Sequence, residues 1–403
     1  MEEYDHRRIG QELDLFTFSD LVGSGLPLWT PRGTIVRSEI DQFVWDLRSK
    51  HDYQKVTIPH ITKRDLYEKS GHWDKFAEDL FRITSREGKE YAMKPMNCPH
   101  HTQIFARKPH SYREMPQRYA ETTMVYRDEQ SGELGGLTRV LSITQDDSHV
   151  FCRTSQIKDE FLKIWDVVDA FYSKFGFTLR VRLSFRDRET PEKYIGTPQV
   201  WDRAESELRQ IAVERGADYI EGPGEAALYG PKLDFMAQNA AGRMWQVATI
   251  QLDLNLPERF DLTCNNEKGE KERIVMIHSA ITGSLERCIA VLLEHLGGVL
   301  PTWLAPVHIK ILPIADAHQT YAKEVLSTLR AAGIRAELDE SSETLGKKIR
   351  EAKLQKIPYL LVVGDQEVST NTATLESRDT GKLGQLSIEE ILHTLTEEIK
   401  NRL

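Results

Sequence analysis

Apolar positions along the chain fall into two regimes. In the first, Val36, Ile40, Phe43, Val44 and Leu47 recur at three- and four-residue steps, which predicts a helix starting near Pro31-Arg32-Gly33. A strand is expected at 53–58, ending at Pro59. A helix over 66–73 stops at Gly71, and a hairpin at 81–94 turns through Arg86-Glu87-Gly88-Lys89. Two strand-like runs, 122–126 and 138–143, flank the glycine-rich Ser131-Gly132-Glu133-Leu134-Gly135-Gly136 and predict a second hairpin. Ile157, Phe161, Ile164, Val168, Phe171 and Phe175 keep helical spacing up to Gly176, and Leu179, Val181 and Leu183 then alternate as a half-buried strand. A helix over 199–215 closes at Gly216. Strands follow at 232–237, 244–253 and 273–278, then a helix over 284–296 ended by Gly297-Gly298. Residues 1–30 show no clean period.

The second regime begins past Pro301-Thr302-Trp303-Leu304-Ala305-Pro306. Strands at 308–312, 334–338, 359–363 and 373–377 alternate with helices at 317–332 and 345–355 and a last helix from Ser387, where Ser387 and Glu390 make a capping-box signature. Regular alternation implies a mostly parallel or mixed sheet with helices on its faces. The expected division is therefore one domain over 1–302 and another over 303–403.

Composition narrows the class. The chain is 403 residues long with 40% hydrophobic and 29% charged residues, ordinary for a globular protein with buried cores. A net charge of −9 argues against a general nucleic-acid binder, so any RNA contact must use a local basic face. Lys347, Lys348, Arg350, Lys353 and Lys356 recur along one predicted helix; they supply such a face, or only a solvated one. Cys98, Cys152, Cys264 and Cys288 lack CxxC spacing, which fits a reducing, cytoplasmic setting. No apolar run approaches a membrane span, and the polar start from Met1 to His6 does not read as a signal peptide.

The chemistry concentrates between Met93 and Cys152. There lie Met96-Asn97-Cys98-Pro99, Arg127-Asp128-Glu129, Arg139 and Gln145-Asp146-Asp147-Ser148-His149. An arginine near each end of a hairpin loop suits a phosphate chain, because a planar guanidinium grips oxygens two at a time. Taken alone, the same residues also fit a surface hairpin with solvated charges.

The Arg127–Glu129 hairpin resembles motif 2 of the class II aminoacyl-tRNA synthetases. Gly283-Ser284-Leu285-Glu286-Arg287 before an apolar helix resembles motif 3, and the long helix followed by a strand ending in proline resembles motif 1. Cys98, His149 and Met276-Ile277-His278 resemble the threonyl-tRNA synthetases within that class, and the likeness runs from Asp5-His6-Arg7-Arg8-Ile9-Gly10 to the C-terminal helix. The resemblance implies an α+β catalytic domain, an antiparallel sheet with flanking helices, followed by an α/β anticodon-binding domain. It implies ATP-dependent attachment of L-threonine to tRNA(Thr) through a threonyl-adenylate, in a homodimer joined through the motif 1 region. One zinc per chain is expected on Cys98, His149 and His278, with His100 and His101 ranked below as competing ligands. Threonine is expected against Met96, Gln145, Asp147, Tyr229 and Gln251. ATP, with magnesium, is expected against Arg127, Glu129, Arg139, Gln246 and Arg287, with catalysis resting on Arg127, Arg287 and Lys232. Arg350 and Glu367 match anticodon contacts.

An open zinc site would solve a selection problem, since an apolar pocket separates a hydroxyl from its isosteric methyl only ~100-fold. The sequence departs from the family pattern at Leu141 and Ser142, at Ser279 beside His278, and at Ser342 and Glu376, the last two bearing on anticodon readout. N-terminal editing domains are expected to be missing, so serine activation without proofreading in the same chain is expected too. Two other readings stay open: an amino-acid or RNA-binding module derived from a synthetase, and an adenylating enzyme with a non-tRNA acceptor. Retention of Arg127, Arg139 and Arg287 weighs against the first, and the C-terminal domain with its basic helix against the second.

Overall fold

A computed structural model describes residues 4–239 and 242–403; Met1–Glu3, part of the polar start discussed above, lie outside them. The chain forms two compact units. One contains Phe18–Pro27 and Asp41–Val291; the other contains the chain up to Thr17, Leu28–Ile40 and Leu292–Leu403. These units do not follow chain order, whereas the expected division at 302 does.

The larger unit is built on an eight-stranded sheet. In spatial order its strands are Tyr219–Pro223, Leu179–Phe185, Lys232–Gln238, Met244–Asp253, Val275–Ser284, Ser142–Cys152, Gln117–Tyr126 and Gln54–Lys55. The six inner strands pair antiparallel, while the outermost strand at each edge pairs parallel to its neighbour. The helix Ile157–Ser173 buries Ile157, Phe161, Ile164, Val168 and Phe171, as its spacing requires. Its Tyr172 hydroxyl donates to the carbonyls of Val247 (3.1 Å) and Ile281 (2.9 Å), docking the helix on two central strands. A small sheet of Ile61–Lys63, Glu90–Met93 and Arg82–Thr84 contains the expected 81–94 hairpin.

Three differences from the sequence expectations shape the site. The strand expected to end at His278 continues to Ser284, through a register irregularity between Ala280 and Ser284 and a left-handed Gly283 (φ 67°). Residues 275–282 are buried on both faces, so the alternation that marks a strand is missing there. The run expected at 138–143 is instead Ser142–Cys152, which puts Gln145–His149 inside a strand and leaves Arg139 in the loop. Cys98 opens a helix, Cys98–Ala106, that its Met-Asn-Cys-Pro context did not announce.

The second unit holds a mixed five-stranded sheet. Ala336–Leu338, Ile309–Pro313 and Tyr359–Val363 run parallel, and Thr372–Ser377 and Gly381–Ser387 are added antiparallel. Helices Gln319–Ala331 and Ile388–Lys400 bury Val325, Leu329, Ile391 and Leu395 in one cluster with that sheet. The Ser387 hydroxyl accepts from the Glu390 amide (3.3 Å) while the Glu390 carboxylate takes the Ser387 amide (2.8 Å). Among the described residues no helix is long and apolar enough to cross a membrane.

Candidate active site

Antiparallel register places the key side chains in one row. Lys232 faces Gln251, Gln251 faces His278, His278 faces His149, and His149 faces Tyr119 across five strands. Residues in register point to the same side of a sheet, and so do alternate residues along one strand. Gln145, Asp147 and His149 therefore share this face. Asp146 points to the other side, where it takes the Ile281 amide (2.7 Å), the Thr282 amide (3.0 Å) and an ion pair from Arg48 (3.1 Å).

The Cys98–Ala106 helix brings its first residue to this row. One ligand atom from each of Cys98, His149 and His278 lies within 4.8 Å of the other two, and all three residues are buried. The two imidazoles are held by different nitrogens. His278 uses Nε2 to meet the buried Asp253 carboxylate (2.9 Å), leaving Nδ1 free. His149 uses Nδ1 to meet His101 Nδ1 (2.7 Å), and its buried Nε2 has no hydrogen-bond partner. A thiol and two imidazoles with possible ligand atoms within 4.8 Å of one another make a three-ligand set for a soft or borderline divalent metal with a position left open. Burial pushes the Cys98 thiol well up, helped by the charges of Asp147 and Asp253. Burial, with His101 and His278 nearby, pushes the His149 imidazole down and keeps it neutral, the state in which it can ligate. Such a donor set fits a metal. His100 keeps both ring nitrogens buried without partners, and His101 is engaged by His149, so neither joins the three.

Four of the five residues expected around threonine ring this cluster, and Gln145 lies further along the Asp147 strand. Asp147 accepts from the Asn97 amide (3.0 Å) and stands 3.8 Å from His149 Nε2. The Tyr229 ring stacks on His278 (4.5 Å between centroids, 16° apart), and its hydroxyl donates to Gln251 (2.6 Å). Met96 packs against the apolar cluster that includes Cys98, Tyr229 and Met276. Gln145 lies in register with Thr123 and Ser284.

A second group gathers cations. Arg127 leaves the end of strand Gln117–Tyr126, with its guanidinium over the Phe76 ring (5.4 Å) and Nε toward the Pro95 carbonyl (3.4 Å). Arg139 reaches back over the loop to Glu129 (2.6 Å) and Glu133 (3.1 Å). Arg287 enters from the first turn of the helix Leu285–Leu296 and donates to the Thr138 carbonyl (3.0 Å). Burial, then the charges of Arg127 and Arg139, depress the Arg287 pKa. Three guanidinium groups gathered beside a helix N-terminus suit a polyanionic ligand. Glu286 fixes this corner: buried, it accepts the Thr144 amide (2.9 Å), the Thr144 hydroxyl (2.7 Å) and the Ser284 hydroxyl (3.0 Å).

Lys232 and Gln246 converge on a different centre, the buried Asp234. Gln246 donates to it (2.8 Å) and accepts from Arg182 (3.1 Å), while the Lys232 ammonium lies 3.2 Å from the same carboxylate. Sequence reasoning missed Asp234, Asp253 and Asn97. Asp253 had a signal: it lies two residues from Gln251, on the same face of the same strand.

Arg350 and Glu367 belong to the smaller unit. Arg350 is exposed on the helix Leu345–Leu354. Glu367 spends its carboxylate on the Gly364 amide (2.9 Å) and the Thr374 hydroxyl (2.7 Å). The expected basic face is smaller than five residues. Lys348 is buried against the Pro313 carbonyl (3.2 Å), and Lys356 lies past the helix end, turned to the Gly297 carbonyl. Lys347 pairs with Glu343 (2.6 Å) and Lys353 with Glu376 (2.7 Å).

An antiparallel sheet with a guanidinium-lined hairpin, ending in a helix that carries a further arginine, defines a class II tRNA synthetase core. Residues 81–296 match the family described as the tRNA synthetase class II core domain (G, H, P, S and T), and residues 305–398 match the anticodon binding domain family. The chain is 47% identical to a threonine–tRNA ligase of Flavobacterium johnsoniae over 99% of its own length and 62% of that protein's, and 47% identical to one of Synechococcus elongatus over 99% and 67%. Its fold superposes with a TM-score of 0.93 on a crystal structure described as the RNA binding domain of the threonyl-tRNA synthetase of Cryptosporidium parvum, at 37% identity and 98% coverage of both chains. A putative threonyl-tRNA synthetase of Aeropyrum pernix gives 0.86 at 27% identity. Within its class, the chain belongs to the threonyl-tRNA synthetase family. It spans about 62% of the length of the Flavobacterium relative.

Proposed function

We propose that this chain activates L-threonine with ATP and transfers it to tRNA(Thr), in a cytoplasmic homodimer joined through the motif 1 region, with residues 1–302 serving catalysis and 303–403 the anticodon. The observation that carries this reading is the convergence of Cys98, His149 and His278 beside Asp147, Tyr229 and Gln251. Cys98, His149 and His278 would hold a zinc ion with coordination left for both the amino and the hydroxyl group of threonine, which valine cannot match.

The chain's own groups do the rest. Asp147, held by Asn97, accepts from the threonine hydroxyl, and Gln145, Met96, Tyr229 and Gln251 line the remainder of the pocket. Arg127 holds the α-phosphate against the threonine carboxylate, Arg287 the γ-phosphate end, and Arg139 faces the nucleotide. Glu129 receives the adenine amino group, which requires it to share or leave its contact with Arg139. Gln246 and Lys232 flank the nucleotide from the Asp234 network. Magnesium accompanies ATP. Catalysis is mostly positioning and cationic stabilisation of charge growing on phosphoryl oxygens.

The test is amino-acid-dependent ATP–pyrophosphate exchange with threonine, serine and valine, before and after chelation. Exchange is expected with threonine and weaker exchange with serine, which lacks one methyl worth about 1–3 kcal/mol. None is expected with valine, and stripping the protein-held metal by chelation, with magnesium then restored, should abolish all of it. No exchange with any amino acid in folded protein would overturn the enzymatic reading, and exchange indifferent to chelation would overturn the zinc.

A further inference from the structure

We propose that His101 is a positioning residue for the metal centre, holding His149 in the one tautomer that presents Nε2 to the ion; the inference rests on the metal reading above. A neutral imidazole has one N–H and one lone pair, and only the lone-pair nitrogen can ligate. His149 Nδ1 and His101 Nδ1 stand 2.7 Å apart, so one of them carries the shared proton. If His101 carried it, the His149 proton would sit on Nε2. That atom is buried with no hydrogen-bond partner, Asp147 lying 3.8 Å away, and with Nδ1 engaged by His101 it is the nitrogen His149 has left for the cluster with Cys98 and His278. The geometry therefore makes His149 the donor through Nδ1 and His101 the acceptor.

The consequence passes one residue further. With its Nδ1 accepting, His101 carries its own proton on Nε2, which is buried without a hydrogen-bond partner 4.0 Å from Glu121 Oε2. That carboxylate oxygen is itself buried and without a partner. A negative charge opposite Nε2–H favours this tautomer of His101, and through it the ligating tautomer of His149. The two histidine ligands are thus prepared by unlike devices: His278 by a direct carboxylate, Asp253, and His149 by an imidazole backed by a carboxylate. The helix Cys98–Ala106 supplies both the thiol and His101, so one helical turn sets a ligand and orients a second.

The experiment uses the full chain loaded with zinc, with ¹⁵N-labelled histidine to read tautomers and competition with a chromophoric chelator to read affinity. Wild type should hold one zinc per chain, with His149 protonated at Nδ1 and His101 at Nε2. His101→Leu removes the acceptor and should weaken zinc binding by ~10–100-fold. His101→Asn keeps an acceptor oxygen where Nδ1 stood and should restore most of that loss, which a merely space-filling role would not explain. Zinc held by His101→Leu as tightly as by wild type, or His149 coordinated through Nδ1, overturns the role of His101 while leaving the metal site intact. A wild-type protein that binds no zinc overturns both. Should His101→Leu not fold, the wild-type tautomers and the Asn variant decide the question.

Discussion

At the scale of single residues, the cluster of Cys98, His149 and His278 turns on which ring nitrogen is committed elsewhere. Asp253 gives one oxygen to the amides of Asn255 (2.8 Å) and Leu256 (2.9 Å) and the other to His278 Nε2 (2.9 Å). In Asp253→Asn the retained oxygen can keep both amides, but an N–H now faces Nε2 and drives the imidazole proton to Nδ1, the ligating atom. Zinc affinity should fall by ~10–100-fold with thermal stability little changed, read by chelator competition and a melting curve. Unchanged affinity would mean that His278 does not ligate through Nδ1. The residues of this site differ in how far the sequence announced them. Gln145, Asp147 and His149 alternate, so one face was readable once the strand was placed. Cys98 and His278 are 180 positions apart and meet only through register and a helix start, which no spacing rule encodes, so family likeness alone pointed to them. Asp253 and His101 act through a ligand rather than as one, and such partners leave no motif of their own.

At the scale of elements, buried carboxylates fasten helices to the sheet. Glu286 ties the first turn of Leu285–Leu296 to Thr144, and Arg287 follows it in the chain. Glu286→Ala removes the carboxylate that accepts from both the Thr144 amide and the Thr144 hydroxyl, a loss of about 2–4 kcal/mol. It should also raise the KM for ATP in exchange by displacing Arg287; a loss of stability with KM unmoved would separate the two roles. Glu160 does the same for the helix Ile157–Ser173, taking a two-pronged ion pair from Arg118 (2.6 and 2.8 Å) and a third contact from Lys163 (2.8 Å). Burial raises its pKa, but those hydrogen bonds outweigh it and hold the carboxyl below its ordinary 4.5. A depressed folded-state pKa adds stability above pH 4.5 that is lost as the pH falls through the folded value. Glu160→Gln should cost about 1.5–3 kcal/mol at neutral pH, because the half-buried Arg118 loses its charged, two-pronged acceptor. The variant should then lose less than wild type on acidification below pH 4.5, measured by urea unfolding across the range. Helices such as Ile157–Ser173 were legible because one face is buried and the other wet. The central strand was shortened in the sequence reading because burial on both faces erases its alternation, and Gly381–Ser387 was missed because its glycines and polar residues carry little strand signal.

At the scale of the whole molecule, a chain of net charge −9 that is to bind tRNA as proposed must confine its attraction to a few places. In the smaller unit the cations near the expected anticodon face are largely spent. Lys348 is buried, Lys347 and Lys353 are paired with Glu343 and Glu376, and Lys356 turns to a carbonyl. Arg350 is left exposed, with no carboxylate partner among the described residues. A guanidinium in that state is free to meet an RNA phosphate or base edge without first breaking an ion pair. Arg350→Glu should therefore reduce kcat/KM for tRNA charging by roughly 5–150-fold, the equivalent of about 1–3 kcal/mol, while ATP–pyrophosphate exchange stays at the wild-type rate. If the lost contact is to a phosphate, the slope of log affinity against log salt should also shrink by about 0.7–0.9. Charging unaffected by Arg350→Glu would remove this helix from the tRNA interface. A loss of exchange and charging together would mean that the substitution damages the fold rather than the docking of tRNA.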